Sequence, residues 1–174
     1  MVKLSKIKSF APYISNEQLN AHYVHHENYY KRLCTLIPKD MPPLNDLLNA
    51  TGAIGNCARQ IWIHNFFWDS LDLNGDFEYI KWLNNTHDFT NKFLQCDLFG
   101  SGWCWLLLNT YTNELSISCT TNDELPSFPY KPLCVVDLWE HAYYLDYKYA
   151  RQEWLRIFCS QLVNTTFIKN NLAI

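Results

Sequence analysis

The stretch Pro132-Leu-Cys-Val-Val-Asp137-Leu-Trp-Glu-His141-Ala-Tyr-Tyr-Leu-Asp-Tyr147 sets a carboxylate and an imidazole four residues apart among aromatic rings. Val135 and Val136 favour an extended run, so a strand is expected to end at Asp137, and the chain from Trp139 onward is free to turn helical. A strand end followed by one helical turn brings the two groups to a common point. Aspartate oxygen and histidine nitrogen suit iron, manganese or zinc, and two such donors leave two or three positions to be filled from elsewhere. The rest of the chain must fold so as to deliver them.

Six histidines are available: His22, His25, His26, His64, His87 and His141. Three fall in His22-Tyr-Val-His25-His26-Glu-Asn-Tyr29-Tyr30, inside a helix expected over residues 16–36. Ser15 with Gln18 forms a capping box at its start, and Pro38, Pro42 and Pro43 break it. The i, i+4, i+8 spacing sets His22, His26 and Tyr30 along one face. A brief helical turn over 44–48 precedes Gly52 and Gly55, and a second helix over 56–71 carries Gln60-Ile-Trp-Ile-His64-Asn-Phe-Phe-Trp68, where the histidine sits among apolar neighbours. Taken singly, each histidine is as well explained as a satisfied core or surface group. A helix pair that brings one histidine each to Asp137 and His141 gathers three nitrogens and one oxygen around one point.

Asn74-Gly75 is a turn signal and places a boundary there, with a helical hairpin domain over 1–75 and an α+β domain over 76–174. The second part reads as short helices over 77–83 and 88–94, and strands over 103–108 and 115–119 turned by Tyr111-Thr-Asn113. A Pro-rich crossing over 125–132 leads to the third strand, and a last helix spans 150–164. The fold class is therefore α+β, an N-terminal helical hairpin followed by a domain with a small three-stranded antiparallel sheet.

Lys+Arg 14 against Asp+Glu 17 leaves no broad basic footprint, which excludes nucleic acid as a partner. No apolar run approaches the roughly 20 residues that span a bilayer, so no membrane is expected either. The seven cysteines are scattered without a Cys-x-x-Cys pair, and their odd number fits free thiols in a reducing compartment. The basic start Met1-Val-Lys-Leu-Ser-Lys-Ile-Lys lacks the hydrophobic core of a signal peptide, so the expected address is cytoplasmic.

Over nearly its whole length the chain resembles the iron/manganese superoxide dismutases. The resemblance is carried by Asp137-Leu-Trp-Glu-His141-Ala-Tyr-Tyr144, Gly100-Ser-Gly-Trp103, Gln60-Ile-Trp-Ile-His64 through Phe66-Phe-Trp68, and Pro12-Tyr-Ile-Ser15 with His22-Tyr23. It implies a homodimer that converts superoxide to dioxygen and hydrogen peroxide by cycling one metal ion per subunit, with ligands His22, His64, Asp137 and His141. Gln60 matches the glutamine that hydrogen-bonds bound solvent in iron-type enzymes, which favours iron, with manganese the alternative. By the same resemblance Glu140 reaches across the dimer, a first-helix histidine bridges to Tyr144 of the partner subunit, and a first-helix tyrosine gates the substrate funnel. Trp68, Trp103, Trp105 and Trp139 wall the site, and core packing explains Trp105 equally well.

Three departures qualify the resemblance. The family spaces its first-helix motif as His-Tyr-x-x-His-His, and here one residue is missing. Without a gap His26 and Tyr30 take the flanking roles; with a one-residue deletion His25 and Tyr29 take them. The ungapped assignment, His26 and Tyr30, is the one adopted. Ile63 stands where the family has an asparagine, and Asp123 falls near a position that is small in iron enzymes and glutamine in manganese ones, so that a carboxylate is expected near the metal-bound solvent. These departures motivate an alternative, a weakly active or inactive metal-binding structural homologue.

Overall fold

The computed structural model of the chain describes residues 8–96 and 98–173; the basic first residues lie outside that description, as does the side chain of His87. Two helices come first, α1 (Asn16–Leu36) and α2 (Gly52–Asp69), linked through a 3-10 turn at Leu44–Leu47. α1 has the bounds expected from its cap and its prolines. Ser15 Oγ accepts from the Gln18 N–H at 3.1 Å, but the other half of the capping box is not made, because the Ser15 N–H donates to Asp146 Oδ2 at 2.8 Å.

α2 begins four residues earlier and ends two sooner than expected. Gly52 and Gly55, which read as breaks, belong to its first turn. A Cβ at Gly55 would stand 1.7 Å from the Ala50 carbonyl oxygen, so glycine is what lets the incoming loop close on the helix. Leu33, Cys57, Ala58 and Ile61, with Leu47 of the turn, form a small core between the two helices.

After α3 (Phe77–His87) and α4 (Phe89–Leu94), β1 (Gly102–Asn109), β2 (Leu115–Thr121) and β3 (Tyr130–Asp137) form one antiparallel sheet in the order β2-β1-β3. β1 is buried without alternation from Gly102 to Leu107, as a central strand covered on both faces must be. The ladder with β3 shifts between Leu106 and Leu107, whose partners are Cys134 and Pro132. The irregularity falls where Pro132 has no N–H to contribute. The same register sets Trp103 opposite Asp137.

Beyond β3 come a 3-10 turn (Glu140–Ala142), α5 (Tyr144–Tyr147), α6 (Arg151–Ile157) and α7 (Thr165–Leu172). The single helix expected over 150–164 is instead α6 continued by a π-helical stretch, Phe158–Leu162. α7 has no counterpart in the expectation. Asn164 explains the break: its side chain accepts from the Phe167 N–H at 3.0 Å and so caps a new helix. The 70–76 segment, where the sequence places a boundary, is stitched to this break. Leu71 bridges Val163, the Asp72 N–H donates to the Leu162 carbonyl at 2.7 Å, and the Asp76 N–H donates to Thr165 Oγ1 at 2.8 Å.

One large core joins Ile63 and Phe67 of α2, the sheet residues Trp103, Leu106 and Val135, and Trp154 and Phe158 from the last helices. Cys34, Cys57, Cys104, Cys134 and Cys159 are free thiols, but Cys96 and Cys119 are joined as a disulfide, against the expectation of seven free cysteines. They stand 23 residues apart in sequence and meet because α4 packs on β2, a contact no spacing rule encodes. Among the described residues, no helix is long and apolar enough to cross a membrane.

Candidate metal centre

Four side chains from four elements converge where the helical pair meets the sheet. His22 comes from α1, His64 from α2, Asp137 from the last position of β3 and His141 from the following 3-10 turn. Asp137 Oδ2 lies 3.1 Å from His22 Nε2, 3.3 Å from His141 Nε2 and 3.9 Å from His64 Nε2. One donor atom from each residue falls within 4.8 Å of the other three. His22, His64 and Asp137 are buried, yet none of these four atoms has a hydrogen-bond partner. Buried polar atoms left so are costly unless something else satisfies them. Three imidazole nitrogens and one carboxylate oxygen, converging and unpaired, fit a cation that accepts mixed nitrogen and oxygen ligands.

The protonation states agree with that fit. Burial raises the Asp137 carboxyl, but the neighbouring His141 and His22 imidazoles pull further the other way and hold it below the usual carboxylate range. Burial lowers His22 and His64, so both are neutral and keep a lone pair. The His64 tautomer is set by its own helix: the Gln60 carbonyl, four residues back, is 2.7 Å from Nδ1. A carbonyl only accepts, so Nδ1 carries the proton and Nε2 faces the cluster.

Several residues hold these groups without being legible as site residues. Gln18 is one, read from sequence only as half of a cap. Its Nε2 donates to the His141 carbonyl at 2.6 Å and its Oε1 accepts from the Leu145 N–H at 2.8 Å, so α1 grips the turn that carries His141. The Trp139 N–H donates to Asp137 Oδ1 at 2.8 Å, and Trp154 Nε1 to the Asp137 carbonyl at 2.8 Å. Ser70, at the end of α2, donates to the Phe66 carbonyl at 2.8 Å and accepts from the Val135 N–H at 3.1 Å, locking the helix of His64 to the strand of Asp137.

Helical phase decides which flanking residues of α1 approach. At about 100° per residue, position i+7 returns to within about 20° of His22, whereas i+8 falls about 80° away. Tyr29 is accordingly the tyrosine at the cluster, its ring 5.8 Å from that of His64. His25 lies over His141 at 4.0 Å and edge-on to Tyr29 at 5.0 Å. Tyr30, assigned this place by the ungapped motif, is not brought to the cluster: it lines a surface cavity with Leu33, Met41 and Ile61. His26 touches the cluster by another route, stacked on His64 at 5.0 Å and accepting from Trp68 Nε1 at 3.1 Å.

Gln60 is buried, with Oε1 unpaired and Nε2 donating at 3.3 Å to the Asn122 carbonyl. Trp103 Nε1 donates to the same carbonyl at 2.9 Å, and its ring stands edge-on to His64 at 5.0 Å. Trp68 lies 4.6 Å from His22 and Trp139 5.6 Å from His141. Trp105 serves the core, its Nε1 on Thr120 Oγ1. Asp123, expected as a loose carboxylate near the site, is engaged by Arg59 Nε at 2.9 Å and Nη2 at 2.7 Å. Ile63 is fully buried in the large core. Glu140 and Tyr144 are exposed.

A helical pair and a sheet-bearing half that share three imidazoles and one carboxylate define an α+β protein with a candidate metal site. Sequence comparison makes that class specific. The profile of "Iron/manganese superoxide dismutases, C-terminal domain" matches residues 72–171. A superoxide dismutase (Mn/Fe) of Rickettsia typhi is 35% identical, covering 95% of this chain and 88% of its own length. A superoxide dismutase (Fe) of Plasmodium falciparum is 37% identical, covering 99% and 96%. The chain belongs to the iron/manganese superoxide dismutase family.

Proposed function

We propose that this chain is a superoxide dismutase that holds one iron ion per subunit and acts as a homodimer. The observation that carries the reading is the convergence of His22 Nε2, His64 Nε2, His141 Nε2 and Asp137 Oδ2, all without a hydrogen-bond partner. An ion held there supplies reversible one-electron chemistry, which converts two superoxide ions and two protons to dioxygen and hydrogen peroxide. Gln60 offers a buried carboxamide with a free oxygen beside His64, suited to orient a small polar molecule. Tyr29 keeps its proton, since burial raises its hydroxyl, and His25 Nε2 has no protein partner. These two groups line a route by which protons reach peroxide. Trp68, Trp103 and Trp139 exclude bulk water around the histidines.

Iron is favoured over manganese by Gln60, which α2 supplies at the position the resemblance assigns to iron-type enzymes. The homodimer is supported by Tyr144 and Leu145, 47% and 42% exposed beside Glu140 and the turn of His141. Dismutation and metal content are to be measured on iron- and manganese-reconstituted protein, with sedimentation for assembly. Stoichiometric iron, with the iron form the faster, is the expected outcome. Bound metal without dismutation overturns the reading and leaves the inert homologue.

A further inference from the structure

Cys104 of β1 stands directly opposite Cys119 of β2, and Cys96, just past α4, brings a third sulfur to the same place, within 4.8 Å of the others. The three are not equivalent. Cys104 is fully buried, and burial pushes its thiol well up, so it stays protonated and unreactive. Cys96 and Cys119 are half-buried and reach solvent. Their Cα atoms lie 6.4 Å apart, inside the roughly 4.4–6.8 Å that a disulfide spans.

The location gives the pair a consequence. β2 is an edge strand, held by the sheet on one side only. It ends at Thr121, immediately before Asn122, whose carbonyl receives Gln60 and Trp103 beside the metal centre. A link from Cys119 to Cys96 ties this strand, across the face it shares with Cys104, to the segment that follows α4.

We propose that Cys96 and Cys119 are a peroxide-responsive dithiol, open when reduced and closed to a disulfide by hydrogen peroxide, the product of the chain's own reaction. The source of the oxidant rests on the dismutase reading; the sulfur chemistry does not. One thiolate displaces hydroxide from peroxide and becomes a sulfenic acid, and the second sulfur then displaces water from it. Two thiols and one peroxide thus give one disulfide and two waters, with two electrons passing from sulfur to oxygen. A small-molecule thiol reverses the change by exchange.

The test uses metal-loaded protein reduced with dithiothreitol, desalted and treated with reagent hydrogen peroxide. Thiols are counted after denaturation and mapped by differential alkylation and mass spectrometry. Seven are expected before treatment and five after, with Cys104 still alkylated and all seven recovered by dithiothreitol. Closing this loop raises the Tm by about 10 °C. Cys104→Ala keeps the response, and Cys119→Ser loses both the thiol change and the Tm shift. Seven thiols after peroxide, oxidation mapped to Cys104, or an equal Tm shift in Cys119→Ser overturns the proposal. Dismutation is assayed on the same samples: a disulfide formed by protein that does not dismute superoxide supports the dithiol and overturns the dismutase reading instead.

Discussion

Gln18→Met tests the Gln18 side chain as a clamp on the turn that carries His141. Methionine matches the length of glutamine but makes neither of its two bonds, to the His141 carbonyl at 2.6 Å and from the Leu145 N–H at 2.8 Å. Gln18 is 1% exposed, so water does not readily replace the amide. Each backbone partner loses a bond worth about 1 kcal/mol net, and one left dry costs about 1–3 kcal/mol, which gives a total of roughly 2–4 kcal/mol. For a chain of this size that corresponds to a Tm lowered by roughly 5–15 °C. The metal readout is independent of this. A turn no longer gripped by α1 presents His141 less well, and loss of such orienting contacts weakens metal binding by about 10–100-fold. Ser15→Ala is the control, since it removes only the cap at about 1 kcal/mol and leaves the His141 turn in place. Thermal unfolding of metal-free protein and chelator competition for iron measure the two effects. If Gln18→Met falls no further than Ser15→Ala and binds iron with unchanged affinity, the Gln18 side chain does not hold the His141 turn and the reasoning is refuted.

Two further outcomes test α1. Tyr29→Phe is expected to lower dismutation by about tenfold by removing a proton donor at the cluster, while Tyr30→Phe leaves the rate within error; the reverse pattern in stopped-flow superoxide decay would restore the ungapped assignment. In metal-free protein, burial, with His22 and His25 adding to it, lowers His26 from 6.5 to about 4. The unfolded chain therefore binds more protons between those values, so the stability contribution is fully present above pH 6.5 and is lost as pH falls towards 4. The loss from this one residue is roughly 3 kcal/mol. Urea unfolding across that window checks the sign, and a flat profile refutes it.

How much was legible follows from what each signal encodes. Asp137 and His141 share one short segment, and His22 and His64 lie on helices whose caps and breaks are written in local residues. The four donors and the bounds of α1 were therefore within reach of sequence reasoning. Tyr29 stands in the sequence as the partner of His25 in the gapped alternative, and helical phase at i+7 favours it over Tyr30. Gln18, Ser70 and the Cys96–Cys119 pair were not, because each acts on a partner far away in the chain: Gln18 on His141, Ser70 on Val135, Cys96 on Cys119. α7 starts where Asn164 caps a new helix, a role that a polar residue at that position does not show in sequence alone. Gly52 and Gly55 belong to α2 because Gly55 answers to the close approach of the Ala50 carbonyl rather than to local helix propensity.

The inert-homologue alternative drew on the shortened first-helix motif, Ile63 and Asp123, and the structure gives each a physical account. The missing residue leaves α1 an unbroken α-helix and sets Tyr29 rather than Tyr30 at the cluster, with His25 and His26 each in ring contact with one of its histidines. Ile63 adds an apolar side chain to a core that already contains Phe67 and Trp103, which costs nothing in unpaired polar atoms. Asp123 does not stand as a free charge beside the cluster. Arg59 binds it through two nitrogens and, through a third, holds the carbonyls of Leu48 and Ala50 at 2.8 and 3.1 Å. One guanidinium therefore pins the turn after β2 to the loop before α2, and Asn122, adjacent in that turn, presents its carbonyl to Gln60. Asp123 therefore supports, through Arg59 and Asn122, the backbone that positions Gln60 beside the cluster, and the departure at 123 argues for a retained site rather than a decayed one.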